Sequence, residues 1–367
     1  MPDPRHWPTG PELAVATGLL AGFVVLLFVL SCIVPGRRAQ GGAVAGEAPK
    51  SYTLNGLPIF VIVLLTVAIG QALGLFRLAA LVALFPALLV VANALAFAAA
   101  VVLYLCGRDE ARAVFGSGPR ATLKAAFFGA ERQPSLLGVD LKLFSYRPSL
   151  IGLVLLNLAF ADAQLQENGS LSVPMVLYQA FSLLYVLNYF QFEYGMIFTW
   201  DIIAERFGWM LVWGDYVLVP FFYSIPAWFL VDRLATPPTW AVAGLIALFL
   251  FGVVLFRGAN EQKHRFKAGR DVRIWGRAAE TLGGRLLISG FWGIGRHLNY
   301  TGEICIYLAF ALTTGLQSWL PYLLPAWLIV LLAHRAWRDE RHCHQKYGAL
   351  WEQYVRRARF RMVPFVY

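Results

Sequence analysis

The sequence is poor in charge, in cysteine and in nucleotide-binding loops of known pattern. Only 14% of its 367 residues are charged, while 59% are hydrophobic. A soluble globular domain carries roughly 25% charged and about 45–50% apolar residues. A water-soluble enzyme is therefore excluded as a description of the whole chain. The four cysteines, Cys32, Cys106, Cys305 and Cys343, are scattered and form no CxxC pair, so neither a disulfide framework nor a zinc site is indicated. His297, His334, His342 and His344 fit no HExxH spacing, and no metal is expected. No GxxxxGK[ST] run occurs, and Gly290, Gly293 and Gly295 precede no strand–helix unit of the dinucleotide-binding type. A bound nucleotide would have to lie in a pocket between membrane helices. There is no internal repeat, and no low-complexity tract beyond a Gly/Ala-rich loop at 41–48.

What the chain has in abundance is apolar length. Its mean hydropathy is +0.60. A spanning helix needs roughly 20 mostly apolar residues. Such runs lie near 13–34, 57–74, 79–106, 149–166, 172–198, 207–231, 239–257, 301–315 and 318–334. They predict an all-α, polytopic integral membrane helical bundle of nine spans, or ten if a marginal segment is split. The first run is long and is followed by Arg37-Arg38, so it reads as a retained helix rather than a signal peptide. The last two runs are joined by Leu316–Trp319 and predict a tight hairpin.

Basic residues cluster between these runs. Segment 107–147 holds seven Lys or Arg, 258–300 holds eight, and 334–367 holds eight, whereas 167–171 and 232–238 hold only Arg233. Nine spans put all three basic segments on one side, which the positive-inside rule makes cytoplasmic, together with the C-terminus. The net charge of +10 then needs no nucleic-acid partner.

Polar residues in or beside apolar spans are functional candidates by default. In Asn188–Tyr194 and Thr199–Asp201, the carboxylates Glu193 and Asp201 would share one helix face if the helix ran through. Asp215 lies inside a strongly apolar run and needs a partner or a cavity. Near the C-terminus, Arg335, Asp339, Cys343 and Tyr347 recur every fourth residue, one polar stripe of a helix, with Tyr354 seven further on. Lys263, Lys267, Arg335 and Arg338 can supply a phosphate-binding cluster, Arg as a fork of donors and Lys as a point charge.

With these residues laid out, the chain resembles the membrane sterol reductases, the Δ14/Δ7 family that includes the membrane domain of the lamin B receptor. The resemblance is dense over roughly the last 230 residues. It rests on Asp140-Leu-Lys-Leu-Phe144, Arg147-Pro148, Asn157-Leu and Phe256-Arg-Gly-Ala-Asn-Glu-Gln-Lys263, then on Ser289-Gly-Phe-Trp-Gly293, Arg296-His-x-Asn-Tyr-x-Gly-Glu303 and Leu320-Pro-Tyr322. It closes with His334-Arg-x-x-Arg-Asp-Glu-x-x-Cys-x-x-Lys-Tyr-Gly348 and Phe360-Arg-x-x-Pro-x-x-Tyr367. Phe207-Gly-Trp-x-Leu-x-Trp-Gly-Asp215 and Ile274-Trp-Gly-Arg277 lean toward the Δ7 branch. The chain departs from the family's pattern at Ala204-Glu205, Ile225-Pro226, Lys267 and Glu303.

The resemblance implies NADPH-dependent reduction of a sterol ring double bond in sterol biosynthesis. It implies N-terminal helices over 1–130 and a reductase core over 131–367 with the cofactor pocket in its C-terminal part. Lys263, Lys267 and Arg335 are expected to hold the cofactor phosphates. Trp292, Arg296, His297, Asn299 and Tyr300 would hold its ribose and nicotinamide end, with Asp339, Cys343 and Tyr347 lining the pocket. Tyr354, Glu193 and Asp201 are the candidates for proton delivery, Tyr354 first. Sterol and membrane lipid are the expected partners, with no obligate protein partner. Two rivals stand beside this reading. One is a membrane methyltransferase of the isoprenylcysteine type, with S-adenosylmethionine in place of NADPH. The other is a non-enzymatic scaffold, which the short polar N-terminus of about 12 residues argues against.

Overall fold

The computed structural model describes residues 7–42, 49–269 and 272–367, so the Gly/Ala-rich loop falls mostly outside the described residues. Its contacts divide the chain into two compact units, one up to Leu234 and one from Ala235.

The first unit opens with three apolar helices, α1 (Gly10–Ile33), α2 (Gly56–Ala72) and α3 (Ala80–Cys106), with the hairpin β1 (Arg37–Gln40) and β2 (Ser51–Leu54) between the first two. Two short helices follow, α4 (Arg108–Phe115) and α5 (Pro119–Phe128), then a minimal hairpin, β3 (Ser135–Leu136) and β4 (Val139–Asp140). The long helix α6 (Leu141–Asn168) starts where the Asp140 carboxylate accepts the Leu143 amide at 2.8 Å and stops at Gly169, whose φ of +71° only glycine adopts freely. The helix thus begins eight residues before the apolar run does. Lys142 is 2% exposed in its first turn, and its Nζ donates to the carbonyls of Asp201, Ile202 and Glu205 at 2.6–3.0 Å. Helix α7 (Val173–Gln191) is capped by Ser172 and packs on α6 through polar contacts as well as apolar ones: Asn157 Nδ2 donates to Ser182 Oγ at 2.8 Å.

Beyond α7 the chain does not continue as a helix through Asp201. It breaks into the single turns α8 (Glu193–Met196) and α9 (Trp200–Ile203). The shared helix face expected for Glu193 and Asp201 is therefore absent. The last span of this unit is composite: α10 (Trp209–Trp213), a nine-residue π-helix (Gly214–Phe222) and α11 (Ile225–Leu230). It starts at Phe207-Gly208 because two backbones touch there: a Cβ on Gly208 would lie 2.2 Å from the Gly129 nitrogen.

The second unit begins with α12 (Thr239–Lys267). Twenty-nine residues make a helix about 44 Å long, against roughly 30 Å of hydrocarbon. The apolar stretch to Leu255 is enough to cross, and Asn260–Lys267 projects past it. The hairpins β5 (Arg273–Ile274) with β6 (Arg277–Ala278), and β7 (Thr281–Leu282) with β8 (Leu286–Leu287), lead to the one-turn helix α13 (Phe291–Ile294). Helices α14 (Leu298–Leu312), α15 (Leu323–Tyr347) and α16 (Ala349–Arg357) complete the unit. α12 and α14 meet at glycine: a Cβ on Gly252 would sit 2.8 Å from the Gly302 carbonyl, and one on Gly302 would sit 2.5 Å from the Phe256 amide.

Among the described residues, seven helical segments are long and apolar enough to span a membrane, and α2 and α14 are shorter apolar helices. Together they are the nine segments that hydropathy picks out. α1 shows what lipid contact looks like: Val25, Leu26, Val29 and Ile33 are all exposed.

Candidate active site

The polar ends of α12 and α15 and the Ser289–Tyr300 turn assemble within the second unit. Trp292 is fixed first: its Nε1 donates to the Ala259 carbonyl at 2.8 Å, and the side chain is buried. Lys263 lies over its ring, 4.5 Å from the centroid. One turn on, Lys267 is within electrostatic range of Lys263, Lys346, Cys343 and Asp339. Lys263, Lys267, Asp339 and Cys343 thus share one neighbourhood, and Lys346 joins them. Among the described residues none of the three lysines forms an ion pair.

The stripe on α15 points inward. Arg335, Asp339, Cys343 and Tyr347 are each partly buried, while Arg338, Arg341, His342 and His344 around them are exposed. Tyr347 and Cys343 pack against the buried group of Trp351, Tyr354 and Ala358. The Tyr354 hydroxyl donates to the Trp292 carbonyl at 3.0 Å. Burial, the largest influence on it, raises the phenol above its ordinary value, so it keeps its proton at neutral pH.

Asn299 and His297 complete this wall. Asn299 Nδ2 donates to Asn260 Oδ1 at 3.2 Å, and its own Oδ1 is buried without a donor. The His297 ring stacks on Tyr300 at 5.2 Å and 8°. Burial first, then the charges of Lys263, Arg296 and Arg361, push the imidazole down to about 3, so it is neutral at physiological pH. Its Nε2 is also buried without a hydrogen bond.

Arg296 is engaged structurally. Its Nε donates to Glu340 Oε1 at 2.6 Å and its Nη1 to the carbonyls of Ala358 and Arg359 at 2.6 and 3.0 Å. The other oxygen of Glu340 accepts from Arg361 Nε at 2.8 Å. The tail lies along the same turn, with the Arg296 and His297 amides donating to the carbonyls of Phe360 and Arg361. Glu340, Arg361 and Lys346 are the residues that sequence reasoning missed. Lys346 had a signal, since it follows Cys343 by three and shares its helix face.

Glu193 and Asp201 belong to the first unit. Glu193 is 7% exposed; it accepts the Gly56 amide at 2.9 Å and Arg147 Nη2 at 3.4 Å. Asp201 is within electrostatic range of Asp215 and Tyr189.

Residues 9–367 match the profile of the ergosterol biosynthesis ERG4/ERG24 family. The chain belongs to this family. It is 37% identical over 354 residues to a Δ14-sterol reductase of Arabidopsis thaliana, covering 95% of each chain. It is 35% identical over 369 residues to a Δ14-sterol reductase of Methylotuvimicrobium alcaliphilum, covering 99% of this chain and 86% of that one. It is also 31% identical over 345 residues to a probable 7-dehydrocholesterol reductase of Acanthamoeba polyphaga mimivirus, covering 89% of this chain and 76% of that one.

Proposed function

We propose that this protein reduces a ring carbon–carbon double bond of a sterol with NADPH, the reaction class named for its relatives. The observation that carries the cofactor reading is the trio Lys263, Lys267 and Lys346, which forms no ion pair among the described residues and groups around the Asp339–Cys343 face of α15. Three ammonium groups without an ion-pair partner among the described residues fit the cofactor's phosphates, including the one extra phosphate that distinguishes NADPH from NADH. Asn299 Oδ1, a buried acceptor lacking a donor, suits a ribose hydroxyl or a carboxamide N–H. Trp292, Tyr300 and Tyr347 supply flat faces, and Arg335 extends the cationic edge.

An isolated ring alkene accepts hydride poorly until a proton has been added to it. When bound, NADPH supplies the hydride to the resulting tertiary cation. The chain supplies the proton and excludes water. Tyr354 is the proposed donor. It is 3% exposed, it is held by the Trp292 carbonyl, and it is protonated at neutral pH. Asp339 is in electrostatic range of it and is the proposed relay for resupply, whereas Glu340 is committed to Arg296 and Arg361. His297, neutral, adds no competing positive charge. Arg296 is assigned the support of this wall. Asp201 stays a proton-handling candidate of the first unit, whereas Glu193 is read as the counterion of Arg147.

The names of the near full-length relatives at 35–37% identity move the favoured bond from Δ7 to Δ14. The basic segments are read as cytoplasmic on the positive-inside rule. Incubating membranes that contain the protein with Δ14, Δ7 and Δ24 sterols and NADPH, then identifying products by mass spectrometry, tests the whole reading. Loss of the Δ14 bond alone is expected. Reduction of Δ7 alone restores the Δ7 assignment. No reduction with any of the three, together with binding of S-adenosylmethionine in place of NADPH, would establish the methyltransferase rival.

A further inference from the structure

The first unit contains a cavity of about 410 Å³ that the reductase reading does not use. It lies where α1 ends and α6 begins, lined by Cys32, Arg38, Ser51, Tyr52, Asp140 and Arg147 among others. The side chain of Arg147 is 3% exposed and poorly satisfied. Among the described residues it donates only from Nη2, over the long distances of 3.3 Å to the Thr53 carbonyl and 3.4 Å to Glu193, and its Nε has no acceptor there. A guanidinium has five donors in a fork that matches an oxyanion. Leaving such donors unsatisfied in a buried site is unfavourable, so a ligand bearing oxygen acceptors would be stabilised there.

The surrounding charge has one sign to spare. Asp140 is already paired with Lys50 at 2.7 Å, and Glu193 is shared between Arg147 and the Gly56 amide. Arg38 adds positive charge, and among the described residues that line the cavity Asp140 is the only carboxylate; Lys142, outside the lining and in range of Asp201, turns its charge to backbone carbonyls. The cavity therefore selects an anion.

Its position says which kind. Cys32 and Ile33 line it, at the end of a helix whose outer face presents Val25, Leu26, Val29 and Ile33 to lipid. An anion seated there with acyl chains would have the α1 face beside it for them. We infer that this cavity binds the phosphate of an anionic phospholipid, with Arg147 and Arg38 as its receivers.

Cys32 is a built-in reporter, because it is exposed and lines the cavity, and Cys106, also exposed, serves as the control. The full-length protein in neutral detergent is labelled with a maleimide, and each cysteine is followed by peptide mass spectrometry. The probes are short-chain phosphatidylglycerol, short-chain phosphatidylcholine and inorganic phosphate. Phosphatidylglycerol at about four times its Kd is expected to slow labelling of Cys32 about fivefold and leave Cys106 unchanged. Phosphatidylcholine should give no protection. The exposed position of Arg38 makes Arg38→Ala a variant that keeps the fold, and in it the protection by phosphatidylglycerol should fall away. Equal protection by inorganic phosphate would overturn the lipid assignment. Equal protection by phosphatidylcholine, retention of protection in Arg38→Ala, or no protection by any probe would overturn the anion site.

Discussion

Glu340 holds the C-terminal tail to the wall of the candidate site, and removing it is the most informative single perturbation. Its two oxygens accept from Arg296 at 2.6 Å and from Arg361 at 2.8 and 2.7 Å. The Arg296 side chain is 7% exposed, so Glu340→Ala strands a buried cation. Breaking one partner of a buried pair is typically worth about 3–5 kcal/mol. Arg296 keeps two backbone carbonyls and Arg361 is partly exposed, which puts the expected loss at the lower end, about 3 kcal/mol. At about 2.1 cal/mol/K of unfolding entropy per residue, a chain of this size should lose about 4 °C in Tm, read by tryptophan fluorescence in detergent. Glu340→Gln keeps one acceptor but turns an amide N–H₂ toward an arginine, and it should recover less than half of the loss. The tail beyond Ala358 should also become open to carboxypeptidase. A Tm change under about 1 °C, with the tail still protected, would refute the claim that this carboxylate anchors the segment.

Tyr354→Phe should leave NADPH binding within about twofold and reduce turnover by at least about a hundredfold, the usual scale of a lost general acid; near-normal turnover would remove Tyr354 from the proton path. Lys263→Ala and Lys267→Ala should each raise KM for NADPH by about tenfold with little change in kcat, and the preference for NADPH over NADH should narrow; an unchanged KM in both would leave the phosphates unassigned. His297 has its pKa lowered to about 3 in the fold against a usual 6.5, so the unfolded chain binds the extra proton between those values. Stability should therefore rise with pH from about 3 to about 6.5 and then level off. His297→Gln should flatten that rise, which a series of thermal melts across the window will show; an unaltered slope would assign it to other groups.

Much of this was legible in the amino acids because lipid makes simple demands. A bilayer requires long apolar runs, and all nine segments read from hydropathy are helices. The α15 stripe was legible for a related reason. A helix repeats every 3.6 residues, so Arg335, Asp339, Cys343 and Tyr347 had to share a face. Where the reading assumed that a helix ran on, it failed: Glu193 and Asp201 sit on separate single turns. Glu340 was invisible for a different reason. Its partners lie 44 residues before it and 21 after it. Nothing local marks a carboxylate as the meeting point of two distant arginines. The first eight residues of α6, Leu141 to Pro148, were also unreadable as helix, because Lys142 and Arg147 interrupt the apolar run and hydropathy cannot detect a turn capped by Asp140 and stabilised through Lys142.

The Gly252–Gly302 contact also sets a mechanical tolerance. From Gly252 to Lys263 is eleven residues along one helix, a rigid arm of about 16 Å. A tilt of only about 5° at the glycine fulcrum would carry the lysine ammonium sideways by roughly 1.4 Å over that arm, comparable to the misplacement that degrades positioning in an active site. The two missing β-carbons therefore act as a bearing with no play. Alanine at either position would leave the charge and the donors of the site untouched and would still put it out of alignment.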